Sequence, residues 1–417
     1  MSTEEKCIYF YFPCTGPGGI QSIIIRLLIE GLAFQKRVFL IDHNDSYLQN
    51  QIKLRCPEAW NSNVFLVGHI SEFIFPPNSC LILFNWQLPL LIELKSNSDI
   101  FLDYLYWDVH SGSIKQAFSI RLFGKKLLQF NAGKILKSLS VENRLLTIDK
   151  VSELYIQKLA NENISLLVTG IPVQAESAFE IDSERVFKSS QHSINIVYIG
   201  RAVDWKVYPF IAAVKLLKNK YNKRIEVRIY TDSVDDFNKL LADGFSGNQS
   251  IHIFEGYSVS EIINRERNWV TLSIGMGTSQ FELFFLGVPT LLIPATIDAE
   301  IMKNVEPMWV HLMPEYVFGF DDESIVAISS ICDVRHAMLS ESNFEWLPTQ
   351  LLDVSISASN IKRIYSPGYI LDMIFNFLNA DRSPFSFLHG AYEVKIISRW
   401  QRIVLFIKNS INWIGSR

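Results

Sequence analysis

Apolar positions along this chain follow one dominant rhythm. Short apolar runs alternate with longer stretches in which apolar residues recur every third or fourth place. Runs at Cys7–Phe12, Val38–Ile41, Val64–Val67, Leu81–Phe84, Ile100–Tyr106, Leu145–Ile148 and Leu166–Thr169 predict strands. Between the first two, Ile24, Leu27, Leu28 and Leu32 fall at helical spacing, which predicts a helix over Ile20–Phe34. After residue 193 the rhythm restarts with NIVYIG at Asn195–Gly200, then a helix from near Pro209 to Tyr221, then strands at Glu226–Tyr230 and Ile251–Phe254. Apolar strands that alternate with helices imply doubly wound, mostly parallel sheets, buried on both faces. The pattern lapses over 171–193, which opens Gly-Ile-Pro-Val and continues charged and serine-rich, so a linker is expected there. The predicted organisation is 1–170, a linker 171–193, a second α/β domain 194–380 and a tail 381–417.

The richest stretch is Thr271–Pro294, TLSIGMGTSQFELFFLGVPTLLIP. It reads as a strand, a glycine turn, a helix from near Ser279, a Gly-Val-Pro break and a second strand. Gly275 and Gly277 permit positive φ and close approach of a ligand to the backbone. Thr278 or Ser279 is placed to cap the helix, and Glu282 would close a capping box on Ser279. A helix that starts at the carboxyl edge of a parallel sheet favours a bound anion. Arg201 and Lys206 flank the turn after Asn195–Gly200, where a forked and a point cation together suit a diphosphate.

The first glycine turn, Gly16, Gly18 and Gly19, lacks the last glycine of a dinucleotide fingerprint, because Gln21 stands there. Asp42 lies at a ribose-binding distance, yet the turn fits a contact made by Gly18-Gly19 better than an NAD site. His110 follows an apolar run in Trp107-Asp108-Val109-His110-Ser111, so it is a candidate to touch a sugar hydroxyl or a developing charge.

Composition narrows the classes. The chain has 417 residues, 48% of them apolar and 20% charged, enough for two cores. A formal net charge of −4 argues against general nucleic-acid binding. Five cysteines without a CxxC pair suggest free thiols in a reducing compartment, and MSTEEKC is no signal peptide, so a cytoplasmic place is expected. No Asp-x-Asp or His/Cys cluster calls for a metal, and no cofactor is expected beyond a donor substrate. In the tail, Ile396, Trp400, Ile403, Ile407, Ile411 and Ile414 keep helical spacing beside Lys395, Arg399 and Arg402. Such a helix either packs back on the first domain or lies on an anionic membrane surface.

Three segments together resemble the group-1 (family 4-like) nucleotide-sugar glycosyltransferases of the GT-B fold. They are GPGGIQSIIIRLL at Gly16–Leu28, IVYIGRAVDWK at Ile196–Lys206 and GTSQFELFFLGVPTLLIP at Gly277–Pro294. The resemblance implies two Rossmann-like domains facing across a cleft. It implies a hexose-type sugar moved from a nucleotide diphosphate to a glycan or lipid-linked acceptor, with retention, in surface polysaccharide or glycoconjugate synthesis. It also implies that Arg201 and Lys206 hold the diphosphate, Glu282 the ribose, Gly18-Gly19 the phosphates from the other domain, and His110 the donor sugar. Two departures stand out: Ile274 where the family often carries a first glutamate, and Val207 where a glycine follows the lysine. Two rivals share the fold, a nucleotide-sugar epimerase and a transferase-like chain that only binds.

Overall fold

In the computed structural model the described residues are 6–14, 16, 18–44, 46–84, 87, 90, 102–109, 114, 119–122, 125–129, 132–173, 193–221, 224–242, 250–256, 258–299, 302, 307–312 and 365–379. They fall into two compact α/β units. The first comprises residues up to 170 together with Pro367–Asn379, and the second runs from 171 to 366, with Asp149–Val151 counted in it.

The first unit is built on a seven-stranded sheet. Its strands are β1 (Cys7–Tyr11), β2 (Val38–Asp42), β3 (Val64–Leu66), β4 (Ser79–Phe84), β5 (Asp103–Asp108), then β8 (Leu145–Thr147) and β9 (Leu167–Val168). A separate antiparallel pair, β6 (Ser119–Leu122) and β7 (Lys125–Gln129), lies between β5 and β8 in the chain. The sheet order is β3-β2-β1-β4-β5-β8-β9, and every pairing in it is parallel. The chain starts in the middle, winds outward to β3, then crosses back and winds the other way. All five residues of β1 and all six of β4 are buried, as two-sided cover by helices requires. Phe10, Phe84 and Trp107 stack across neighbouring strands at 6.1 and 5.8 Å. The helix Gly19–Ala33 lies directly on β2: a Cβ at Gly31 would come within 2.7 Å of Val38 Cγ2.

Two expectations shift here. The run read as a strand over Ile100–Tyr106 forms β5 later, so that Trp107 and Asp108 belong to the buried strand rather than to a loop. The helix Pro367–Asn379, assigned from the sequence to residues 194–380, belongs with the first unit. Its stripe of Ile370, Leu371, Ile374, Phe375 and Leu378 is buried, and it packs on Gly19–Ala33. Lys36 pairs with Asp372 at 3.2 Å and lies 5.3 Å from the Phe375 ring, while Lys6 donates to the Leu378 carbonyl. Residues 174–192 of the expected linker and the tail from 381 lie outside the described residues.

The second unit holds β10 (Ser193–Ile199), β11 (Arg224–Thr231), β12 (Ser250–Glu255), β13 (Leu272–Gly275), β14 (Thr290–Leu292) and β15 (Met308–Trp309). Their order is β12-β11-β10-β13-β14-β15, parallel except for the edge strand β15. Val197, Tyr230, Ile262, Ile263, Leu283 and Val288 form a core between this sheet and its helices. Among the described residues no helix is long and apolar enough to cross a membrane.

Candidate functional site

In the second unit, β10 and β13 are neighbours, but the chain leaves β10 toward β11 and leaves β13 toward β14 on the other side. Connections that part in this way open a crevice at the carboxyl ends of the two strands. The two turns singled out from the sequence stand there, after Ile199 and after Gly275.

The first turn is held by the backbone. Gly200 donates its N–H to the Tyr230 carbonyl at 3.0 Å, and the Ala202 N–H reaches Asp232 Oδ1 at 2.8 Å. Tyr198 is packed so closely under Gly200 that a Cβ there would meet its Oη at 2.5 Å. The following helix runs Asp204–Tyr221 and begins before the proline that was expected to open it. Pro209 therefore sits inside the helix, with no N–H for the carbonyl of Trp205 four residues back. That carbonyl accepts from Thr296 N–H at 3.1 Å instead, tying the helix start to the loop after β14.

Arg201 and Lys206 converge on one side chain. The Arg201 guanidinium carbon is 6.0 Å from the Trp205 ring centroid and Lys206 Nζ is 5.2 Å from it, both within reach of a cation–π attraction. Arg201 is exposed, while Lys206 is partly covered. Burial of its amine, and secondarily the Arg201 charge, push the Lys206 pKa down to about 8, with Asp232 opposing. An amine in this condition is ready to gain from an incoming anion, since the anion restores the stabilisation that water no longer gives.

The second turn is shaped by glycine. Gly277 has φ +78 and precedes the helix Thr278–Phe285 as its N-cap, without a side-chain cap hydrogen bond. The expected capping box is therefore absent: the helix starts at Thr278, which puts Glu282 in its interior rather than one turn from a Ser279 cap. Glu282 is 9% exposed. Gln280 is fully buried, its Nε2 donating to the Ile199 carbonyl at 3.1 Å and lying against Gly275, where a Cβ would meet it at 2.3 Å. The helix ends at Gly287 (φ +84), with Gly287 N–H on Phe284 O and Val288 N–H on Leu283 O, a Schellman closure that explains the Gly-Val-Pro break. Ile274 is fully buried within β13.

The structure thus brings Arg201, on the first turn, and Lys206, at the start of the helix that follows, onto one tryptophan, and places Gly277, Thr278 and Ser279 at the second turn with Glu282 one turn further along its helix. Gly18 and Gly19 are in the first unit, at the N-cap and first position of Gly19–Ala33. Gln21 folds back over that turn, its Nε2 bonding the Gly16 carbonyl at 3.1 Å and its Oε1 occupying the place of a Gly18 Cβ. Asp42 is fully buried and takes up the His43 N–H at 2.9 Å and the Ser46 hydroxyl. Both of its oxygens are thus engaged within its own loop. His110 lies outside the described residues. Sequence reasoning missed Asp232, Trp205 and Gln280. The one signal for Asp232 was its place directly after a strand, where parallel sheets carry their sites.

No protein-family model matches the chain, and no curated protein matches it in sequence. Among solved structures, a glycosyltransferase from Rickettsia africae ESF-5 is similar over 91% of this chain and 100% of that one, at 12% identity and a TM-score of 0.50. A structure reported as trehalose-6-phosphate from E. coli bound with UDP-2-fluoro glucose covers 91% and 100%, at 10% identity and a TM-score of 0.49. Against TarM this chain spans 55% of the other chain's length and 73% of its own, at 14% identity and a TM-score of 0.38. At these identities a likeness concerns fold alone. Two doubly wound parallel sheets in one chain, with the glycosyltransferase of R. africae similar along its whole length, make this a protein of the GT-B fold.

Proposed function

We propose that the chain is a glycosyltransferase that moves a hexose-type sugar from a nucleotide diphosphate sugar to a glycan or lipid-linked acceptor. The observation that carries this reading is the convergence of Arg201 and Lys206 on Trp205 at the crevice of the second unit, beside the Gly277 turn. Two cations and a helix start are suited to a leaving diphosphate, whose charge develops as the sugar bond breaks. Arg201 would take two phosphate oxygens with its fork and Lys206 would contribute a point charge. Thr278 and Ser279 would offer first-turn N–H groups, and Glu282 would meet the ribose. Retention of configuration and the part of Gly18, Gly19 and His110 rest on the resemblance of the motifs. So does a role in surface polysaccharide or glycoconjugate synthesis, whereas a cytoplasmic place rests on the unpaired pattern of the cysteines. Contact of the tail 381–417 with the inner face of a membrane, rather than packing on the first domain, rests on its isoleucine and tryptophan stripe with a basic edge. No metal or further cofactor is part of the proposal.

The test is donor turnover. Purified protein is incubated with UDP, GDP and ADP sugars, with and without candidate acceptors, and the products are followed by mass spectrometry and NMR. Slow donor hydrolysis without acceptor, transfer with one, and loss of both in Lys206→Ala support the reading. A changed donor sugar without release of the diphosphate would mean an epimerase instead. Binding without any turnover, in a Lys206-dependent manner, would mean a chain that only binds.

A further inference from the structure

A cation pair has to be kept together before its anion arrives. Arg201 and Lys206 repel, and Lys206 has given up much of its water. Arg201 stands on the turn between β10 and the helix Asp204–Tyr221 and Lys206 in the first turn of that helix, so the shape of the connection sets their spacing and needs a hold of its own. One side chain answers both needs. Asp232, the residue after β11, accepts the Ala202 N–H at 2.8 Å in the middle of that turn, and its Oδ1 also takes the Thr231 hydroxyl at 3.2 Å. Its charge acts on Lys206 in the sense opposite to Arg201.

We propose that Asp232 is the positioning residue of the cation pair: it fixes the Gly200–Val203 turn through the Ala202 N–H and serves as the resident counter-charge that holds Arg201 and Lys206 side by side. The inference deepens the donor-site reading and rests on it only for the nature of the anion. Asp232 is exposed, so it can remain hydrated while an anion binds beside it. Three other ionisable groups lie on the elements around the pair. Asp204 bonds the Trp205 N–H at 2.8 Å, Asp298 lies in the loop after β14, and the buried Tyr198 hydroxyl is held neutral by its surroundings and by the Asp232 charge. Charge and geometry are separable here. An asparagine keeps an oxygen for the Ala202 N–H but no charge, whereas an alanine keeps neither.

The experiment uses full-length protein with 13C-labelled lysine, the Lys206 signal being assigned as the one missing from Lys206→Ala. Its titration is followed in wild type, Asp232→Asn and Asp232→Ala, together with hydrogen exchange of the Ala202 amide. Wild-type Lys206 is expected to titrate near pH 8. Both variants should move that midpoint to lower pH, and only Asp232→Ala should speed Ala202 exchange, by tenfold or more. A wild-type midpoint in Asp232→Asn overturns the counter-charge, and unchanged Ala202 exchange in Asp232→Ala overturns the hold on the turn. If one variant fails to fold, the other still reads the charge. Binding of UDP, GDP and ADP to the wild type is measured alongside. Absence of all three would remove the donor reading while leaving the Asp232 result intact.

Discussion

Replacing Lys206 by methionine should make the unliganded protein more stable and the liganded one weaker. Holding the amine midpoint near 8 rather than 10.5 corresponds to a penalty of about 3 kcal/mol for keeping it charged in the fold, at about 1.4 kcal/mol per pH unit. Part of the side chain remains in solvent and it rests on Trp205, so the net gain from methionine at pH 7 is expected to be about 1–2 kcal/mol. The sign follows from proton counting. Between pH 8 and 10.5 the unfolded chain binds a proton at Lys206 that the folded one has released, so stability rises with pH across that window. The penalty is full below pH 8 and gone above 10.5. Thermal melts of both proteins at pH 7 and at pH 10 measure this. The variant should melt a few degrees higher at pH 7, and its advantage should shrink at pH 10, since each kcal/mol is worth roughly 2–4 °C in a domain of this size. A diphosphate attracts the charged amine, so wild-type nucleotide affinity should fall as pH rises through 8, and the variant should bind poorly at both. A variant that melts below wild type at pH 7, with unchanged nucleotide affinity, would refute the reasoning.

Glu282→Gln should melt within about 1 kcal/mol of wild type, because the residue is no cap, yet bind a nucleoside diphosphate at least tenfold more weakly; equal affinity by calorimetry would remove Glu282 from the site. Gly277→Ala should cost about 1–3 kcal/mol in a denaturant melt through backbone strain, since φ is +78 there and, among the described residues, none but its chain neighbours comes within 4 Å of the added Cβ. Truncation at Asp381 should abolish co-sedimentation with anionic vesicles at low salt and spare donor hydrolysis; loss of the fold would assign the tail to intramolecular packing instead.

Much of this architecture was written in the apolar pattern. Runs such as Cys7–Phe12 and Asn195–Gly200 are legible because a two-sided buried strand admits few polar residues. What the pattern could not show was carried by single atoms. The helix after Gly200 begins at Asp204 rather than Pro209 because the carbonyl that Pro209 leaves unbonded finds Thr296, a partner many residues away. The capping box on Ser279 failed for the opposite reason: Gly277 takes the N-cap with a positive φ, and Glu282 falls into the helix interior. The helix Pro367–Asn379 carries an apolar stripe that any sheet or helix could cover, so its assignment to the first unit was not in its own sequence. The cation pair was legible as Arg201 and Lys206 at a fixed spacing, whereas Asp232, which holds their turn, comes from a different strand.

The most direct measurement is calorimetric titration of the wild-type protein at pH 7 with UDP, GDP and ADP, each against its monophosphate. A diphosphate site built on Arg201 and Lys206 should bind at least one diphosphate tenfold or more tighter than the monophosphate, about 1.4 kcal/mol or more. That preference should vanish in Lys206→Ala. A folded wild type that binds no nucleoside diphosphate, or a preference that survives the loss of Lys206, would contradict the account.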